Sequence, residues 1–160
     1  MITLLALNLF MIYGCSEKSV QEKMSEQALK QVAGKDVDVK IQGGNVQIAD
    51  KDSRTEMTET TTWPTDLVSD VPKFTAGKIK RVIKTQEQTG SWTFNIYLEG
   101  ISGDDVKNYE NAMREMGWQT DLMQMGDKGG YLNGQKGTMG MNFGFSLERK
   151  DGVLAVFNRP

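Results

Sequence analysis

Residues 91–98, Ser-Trp-Thr-Phe-Asn-Ile-Tyr-Leu, alternate more strictly than any other stretch of this chain. Trp92, Phe94, Ile96 and Leu98 fall on one side of an extended backbone, and Thr93, Asn95 and Tyr97 on the other. A strand with one wholly apolar side must sit in a sheet whose matching face is covered. The neighbouring residues have to supply both the sheet and the cover.

They do so in order. Lys78–Lys84 reads as a strand before it. After it, Ser102-Gly-Asp-Asp105 starts a helix, with a hydroxyl cap and two acids in the first turn to oppose the helix dipole. Val106, Tyr109, Met113 and Met116 make its buried stripe, and Gly117 ends it. Trp118 opens a return strand through Leu122, Met123 and Met125, and Gly126–Gly130 turns into Tyr131-Leu132. A long strand then puts Met139, Met141, Phe143, Phe145 and Leu147 on one face and Gly140, Asn142, Gly144 and Ser146 on the other. Lys150-Asp151-Gly152 is a tight turn into a last strand, Val153–Phe157. The expected domain, 63–160, is α+β: an antiparallel sheet of about five strands (β-β-α-β-β-β) with one helix on one face. The opposite face is polar or glycine-rich, hence solvated or a docking surface.

Upstream, residues 17–33 read as a helix with Val20, Met24, Ala28, Leu29 and Val32 in a stripe. Its mixed Glu and Lys face favours packing on a partner or on the following strands over resting on headgroups. Val37–Ile41 and Val46–Ile48 alternate around Gln-Gly-Gly-Asn, a β-hairpin pattern. Residues 50–62 have no periodicity and almost no apolar content, and read as a linker. The expected organisation is 1–14 a leader, 15–49 helix and hairpin, 50–62 linker, and 63–160 the main domain.

The leader carries an address. Ile2–Ile12 is an almost uncharged apolar run, too short for the ~20 residues that span a bilayer. It runs into the only cysteine, Cys15, and turns polar at once. Ile12-Tyr-Gly-Cys15 resembles a bacterial lipobox. That resemblance implies cleavage after Gly14, a diacylglycerol on the Cys15 thiol, and often acylation of the new amino terminus, palmitate being one such chain. The basic residue usual near the start is missing, and Tyr13 is bulkier than the usual occupant. Two or more acyl chains hold a protein stably where one does not. Ser16 rather than Asp after the cysteine resembles lipoproteins sent to the outer membrane, periplasmic side, where a cell has two membranes.

A second resemblance rests on Trp63-Pro64, Val71-Pro72 and a helix with a central Tyr109 closing on Gly117-Trp118. With the Glu/Lys-rich first helix and the Gly-Gly-Asn hairpin, this is similar to an uncharacterised prokaryotic lipoprotein family. The resemblance bears on architecture and implies no activity.

Composition removes several functions. The net charge is −2, and residues 63–160 carry twelve basic and twelve acidic side chains, so no basic surplus exists for nucleic acid. There is no histidine and one cysteine, which excludes Ser-His and Cys-His nucleophiles and the usual zinc sets. Carboxylate-pair chemistry shows no motif, so no enzyme and no cofactor are expected. Met123/Met125 and Met139/Met141 have the spacing of Cu(I) thioether motifs, but read better as a core stripe of adaptable side chains. Asp104 and Asp105 are explained by the helix start. The glycines of 126–144 lack a phosphate-loop pattern.

Lys78, Lys80 and Lys84, expected on one face, are either a solvated strand face or a surface for headgroup phosphates or an acidic partner. The expected function is a lipid-anchored extracytoplasmic protein acting by binding, as accessory or adaptor in an envelope assembly with a protein partner. The alternative is capture of a small ligand or lipid in a pocket between helix 103–116 and the sheet.

Overall fold

The computed structural model describes residues 26–27, 37–42, 45–58 and 60–158. Nine strands form one antiparallel sheet: β1 Asp38–Gln42, β2 Asn45–Ala49, β3 Ser53–Thr58, β4 Lys78–Glu87, β5 Trp92–Glu99, β6 Gln119–Gln124, β7 Gly129–Lys136, β8 Met139–Ser146 and β9 Asp151–Asn158. One helix, α1 Gly103–Glu115, lies between β5 and β6. The spatial order is β1-β2-β3-β4-β5-β9-β8-β7-β6. The chain meanders to the middle, crosses on α1 to the far edge, and meanders back until β9 closes on β5.

The expected α+β domain with a five-stranded sheet is therefore corrected to a mainly antiparallel β structure. Two strands escaped the sequence reading for different reasons. Ser53–Thr58 falls inside the expected linker, yet β3 pairs with β2 on one side and β4 on the other. Its charged residues, Arg54 and Glu56, occupy one side of a strand that never becomes fully buried, so no apolar alternation marks it. β7 presents Gly130, Leu132 and Gly134 to the helix side, leaving one apolar side chain to show its period. The hairpin of β1 and β2 does form, and belongs to the same sheet instead of a separate unit.

α1 forms as its residues dictate. Ser102 Oγ accepts from the Asp105 N–H at 3.3 Å, while the Asp105 carboxylate accepts from the Ser102 N–H at 2.8 Å, a reciprocal capping box. Gly117, at φ +83°, reverses the chain, and the Trp118 N–H reaches back to the Met113 carbonyl at 3.0 Å. Val106, Tyr109 and Met113 are fully or nearly fully buried against the sheet. The helix approaches so closely that a Cβ on Gly134 would stand 2.3 Å from Met113 Cε and 3.2 Å from the Trp118 ring.

Loop 63–77 completes the cover beside α1. Leu67, Val71 and Phe74 are buried, with the Phe74 ring edge-on to Tyr109 (5.1 Å) and to Phe143 (5.3 Å). Two buried polar tips moor the loop. Tyr109 Oη donates to the Pro72 carbonyl at 3.0 Å, and Trp118 Nε1 donates to the Asp70 carbonyl at 2.9 Å. Ile96, Leu132, Phe143, Leu154 and Val156 form the sheet side of this core, each with no exposed surface.

Register reveals an inversion of the sheet's apolar face. On the α1 side, Phe94, Ile96 and Leu98 line β5. Following the cross-strand partners outward, the same side of the first strands carries Lys84, Glu56, Gln47 and Lys40. The opposite side there carries Ile83, Met57, Val46 and Ile41. The switch occurs in β4, whose consecutive Val82 and Ile83 point to opposite faces. Glu26, in helical conformation, accepts from the Ile41 N–H at 2.5 Å and so occupies part of the β1 edge.

Phe143→Ala should cost about 3–5 kcal/mol of unfolding free energy in urea titration, because a ring at the centre of this core leaves a cavity. Burial pushes the Tyr109 hydroxyl far above the ordinary tyrosine range. That contribution is fully present below the unfolded pKa of about 10 and is lost above it, as the unfolded chain ionises. Between pH 9 and 11 the urea midpoint should fall, and Tyr109→Phe should make that fall shallower.

Candidate binding groove on the open sheet face

Among the described residues, no element covers the face away from α1 over β5, β9, β8 and β7. Pairing aligns one residue from each of six strands there: Arg81, Tyr97, Val153, Gly144, Tyr131 and Met123. The two tyrosines stand three strand spacings apart, about 14 Å. Between them the floor is only Val153 and Gly144, which is why a groove opens there. Its volume is about 660 Å³. A Cβ on Gly144 would lie 3.6 Å from the Tyr131 ring, so that ring leans over the floor.

The walls are amphipathic. Arg81 Cζ sits 4.2 Å over the Tyr97 ring centroid, covering one ring face. Tyr131 is 54% exposed, beside Met123 at 59% and Met125 at 54%, the most exposed large apolar side chains of the described residues. The rim is charged in both signs. Lys80 Nζ pairs with Glu99 at 3.2 Å, and Arg149 Nε donates to both Asp151 carboxylate oxygens at 3.2 and 3.1 Å. Lys128 and Glu148 add one further charge of each sign.

The expected site residues land differently. Gly14 and Cys15 lie outside the described residues, as does most of 17–33. Lys78, Lys80 and Lys84 do not share a face, because a bulge between Ile79 and Arg81 shifts the strand's phase. Lys78 and Lys80 stay on the groove side. Lys84 turns to the α1 side, where its Nζ meets Asp66 at 2.5 Å and stands 5.3 Å from the Phe94 ring centroid. Two of the three are thus neutralised by ion pairs.

The methionines split as well. Met141 is buried and Met139 packs against the core, as a core stripe requires. Met123 and Met125 are a correction: they are exposed, because Leu122 and not Met123 takes the inward position of β6. Asp105 serves the capping box. No group of three or more acidic or cysteine side chains that could hold a metal ion occurs among the described residues. The helix–sheet interface, expected to hold a ligand pocket, is filled by Val106, Tyr109 and Met113.

The glycine-rich outer face expected to be solvated or a docking surface supplies the groove floor at Gly144, while the pairing of Tyr97 and Tyr131 as its walls has no sequence signal beyond the outward parity of Tyr97. No family model matches the chain, and no curated protein and no solved structure matches it.

Exposure orders the thioethers chemically. Mild peroxide followed by peptide mass spectrometry should oxidise Met123 and Met125 first and leave Met113 and Met141 reduced while the protein stays folded.

Proposed function

We propose that this chain is a lipid-anchored extracytoplasmic protein that acts by binding, tethered through acylated Cys15. It serves as an accessory or adaptor in a cell-envelope assembly, on the periplasmic side of the outer membrane where the cell has two membranes. Two features support this reading. The apolar leader delivers a sole cysteine at the position where thiol acylation gives it a purpose. The open sheet face then offers a groove with exposed Tyr131, Met123 and Met125, the side chains that dominate binding surfaces.

The groove is the observation that carries the binding reading. Tyrosine and methionine at half exposure lose solvation for no folding gain, whereas a bound partner covers them. The earlier basic-face version of the surface gives way, since Lys84 lies on the other side and is paired with Asp66. Capture of a small ligand is the second reading. It is favoured by the groove's volume, within the ~300–1,000 Å³ usual for small-molecule sites. The absence of histidine rules out His-dependent nucleophiles, and no catalysis is proposed.

Two variants test the halves of the proposal separately. Cys15→Ala should move the protein from the membrane to the soluble fraction and abolish metabolic labelling by palmitate. A photo-crosslinking residue at Met123 should capture a specific envelope component that the Tyr131→Ala protein, equally stable, no longer yields. Unaltered fractionation would overturn the anchor. A crosslinking pattern identical with and without Tyr131 would overturn the groove as the binding surface.

A further inference from the structure

From the groove's chemistry we infer its occupant: a neutral oligosaccharide of β-linked pyranose rings. This rests on the binding reading above and deepens it. Three observations narrow the ligand class. First, the rim holds three cations (Lys80, Lys128, Arg149) and three carboxylates (Glu99, Glu148, Asp151), interleaved and partly paired. A polyanion would meet the Glu99 and Asp151 carboxylates beside Lys80 and Arg149, and a polycation the converse, so the balance selects an uncharged ligand.

Second, the groove is open, with charged groups around its mouth. An acyl chain would be left half in water and would strip solvent from the exposed Lys80–Glu99 and Arg149–Asp151 pairs, which costs more than it returns. An uncharged polyol suits the same rim. Its hydroxyls donate to the Asp151 and Glu99 carboxylates and accept from Arg149 and Lys128, each a charge-assisted hydrogen bond.

Third, the walls and floor have the shape of a ring ligand. Tyr97 and Tyr131 flank a floor whose two central residues rise no higher than a valine side chain. β-Linked pyranoses form a flat ribbon whose ring faces are C–H surfaces and whose edges carry the hydroxyls. Such a ribbon stacks a C–H face on the exposed Tyr131 ring, which leans over Gly144, and turns its hydroxyl edges toward the rim. Arg81 stacks on one face of the Tyr97 ring, which restrains that ring before a ligand arrives.

The test uses full-length protein in a zwitterionic, sugar-free detergent, with two probes: cellotetraose and the tetrasaccharide of β-1,4-linked N-acetylglucosamine. Saturation-transfer NMR should show transfer to ring C–H protons of at least one probe, with a saturable titration. Tyr131→Ala should weaken that binding at least tenfold and Asp151→Asn several-fold. Tyr131→Phe should retain most of it, and Val68→Ala, on the loop at the other face, should leave it unchanged. No transfer from either probe at millimolar concentration, with thermal unfolding intact, would overturn the saccharide assignment. So would binding that Tyr131→Ala does not weaken. If Met123 crosslinking still captured a Tyr131-dependent protein partner in that case, the binding reading would stand and only the ligand class would fall.

Discussion

The pairing of β5 with β9 holds this structure together. Seven residue pairs join Thr93–Glu99 to Asp151–Phe157, across more than fifty intervening residues. Every other strand contact in the sheet joins strands adjacent in sequence. Without the β5–β9 seam the chain would be two separate meanders, each with a naked apolar edge. With it, Ile96 and Leu154 come opposite each other and the core becomes continuous. Closing so long a loop costs entropy before any contact rewards it, a cost that the hairpin contacts elsewhere in the sheet do not carry.

The crossover helix exists to make that seam possible. α1 carries the chain from the middle of the sheet to the far edge, so that the returning meander ends beside β5. Its burial is matched by glycine at the closest approach and by loop 63–77 along its flank. Glu110, almost fully buried, joins Arg114 and Thr120 in one hydrogen-bonded group that ties the helix to β6. One face of the sheet is thus closed firmly, and the groove on the other face inherits a rigid floor.

That division explains the placement of the candidate site. Side chains of adjacent residues in β5, β8 and β9 go alternately to the closed core and to the open face. Phe143 and Leu154 are locked under α1, and their neighbours Gly144 and Val153 form the groove floor. The floor of this surface is built on strands whose other side is buried in the core, which fixes its geometry, while Lys128, Glu148 and Arg149 reach its rim from turns. The face inversion at β4 has a parallel consequence: it turns Lys84 inward to Asp66 and breaks up what reads in one dimension as a basic run.

Much of the local structure was legible from residue order alone. The β5 alternation, the Ser102 and Asp105 cap, the α1 stripe, the Gly117 stop and the Met141–Phe145 core face all follow from period and propensity, which act within a few residues. What only the tertiary structure decided depends on pairing between distant segments. β3 and β7 are strands because their neighbours bond to them, not because their own residues demand it. The bulge after Ile79 changes which face three lysines occupy, and a one-residue phase shift leaves no mark in composition. Tyr97 and Tyr131, thirty-four positions apart, become the two walls of one groove only because β9 and β8 come to lie between them.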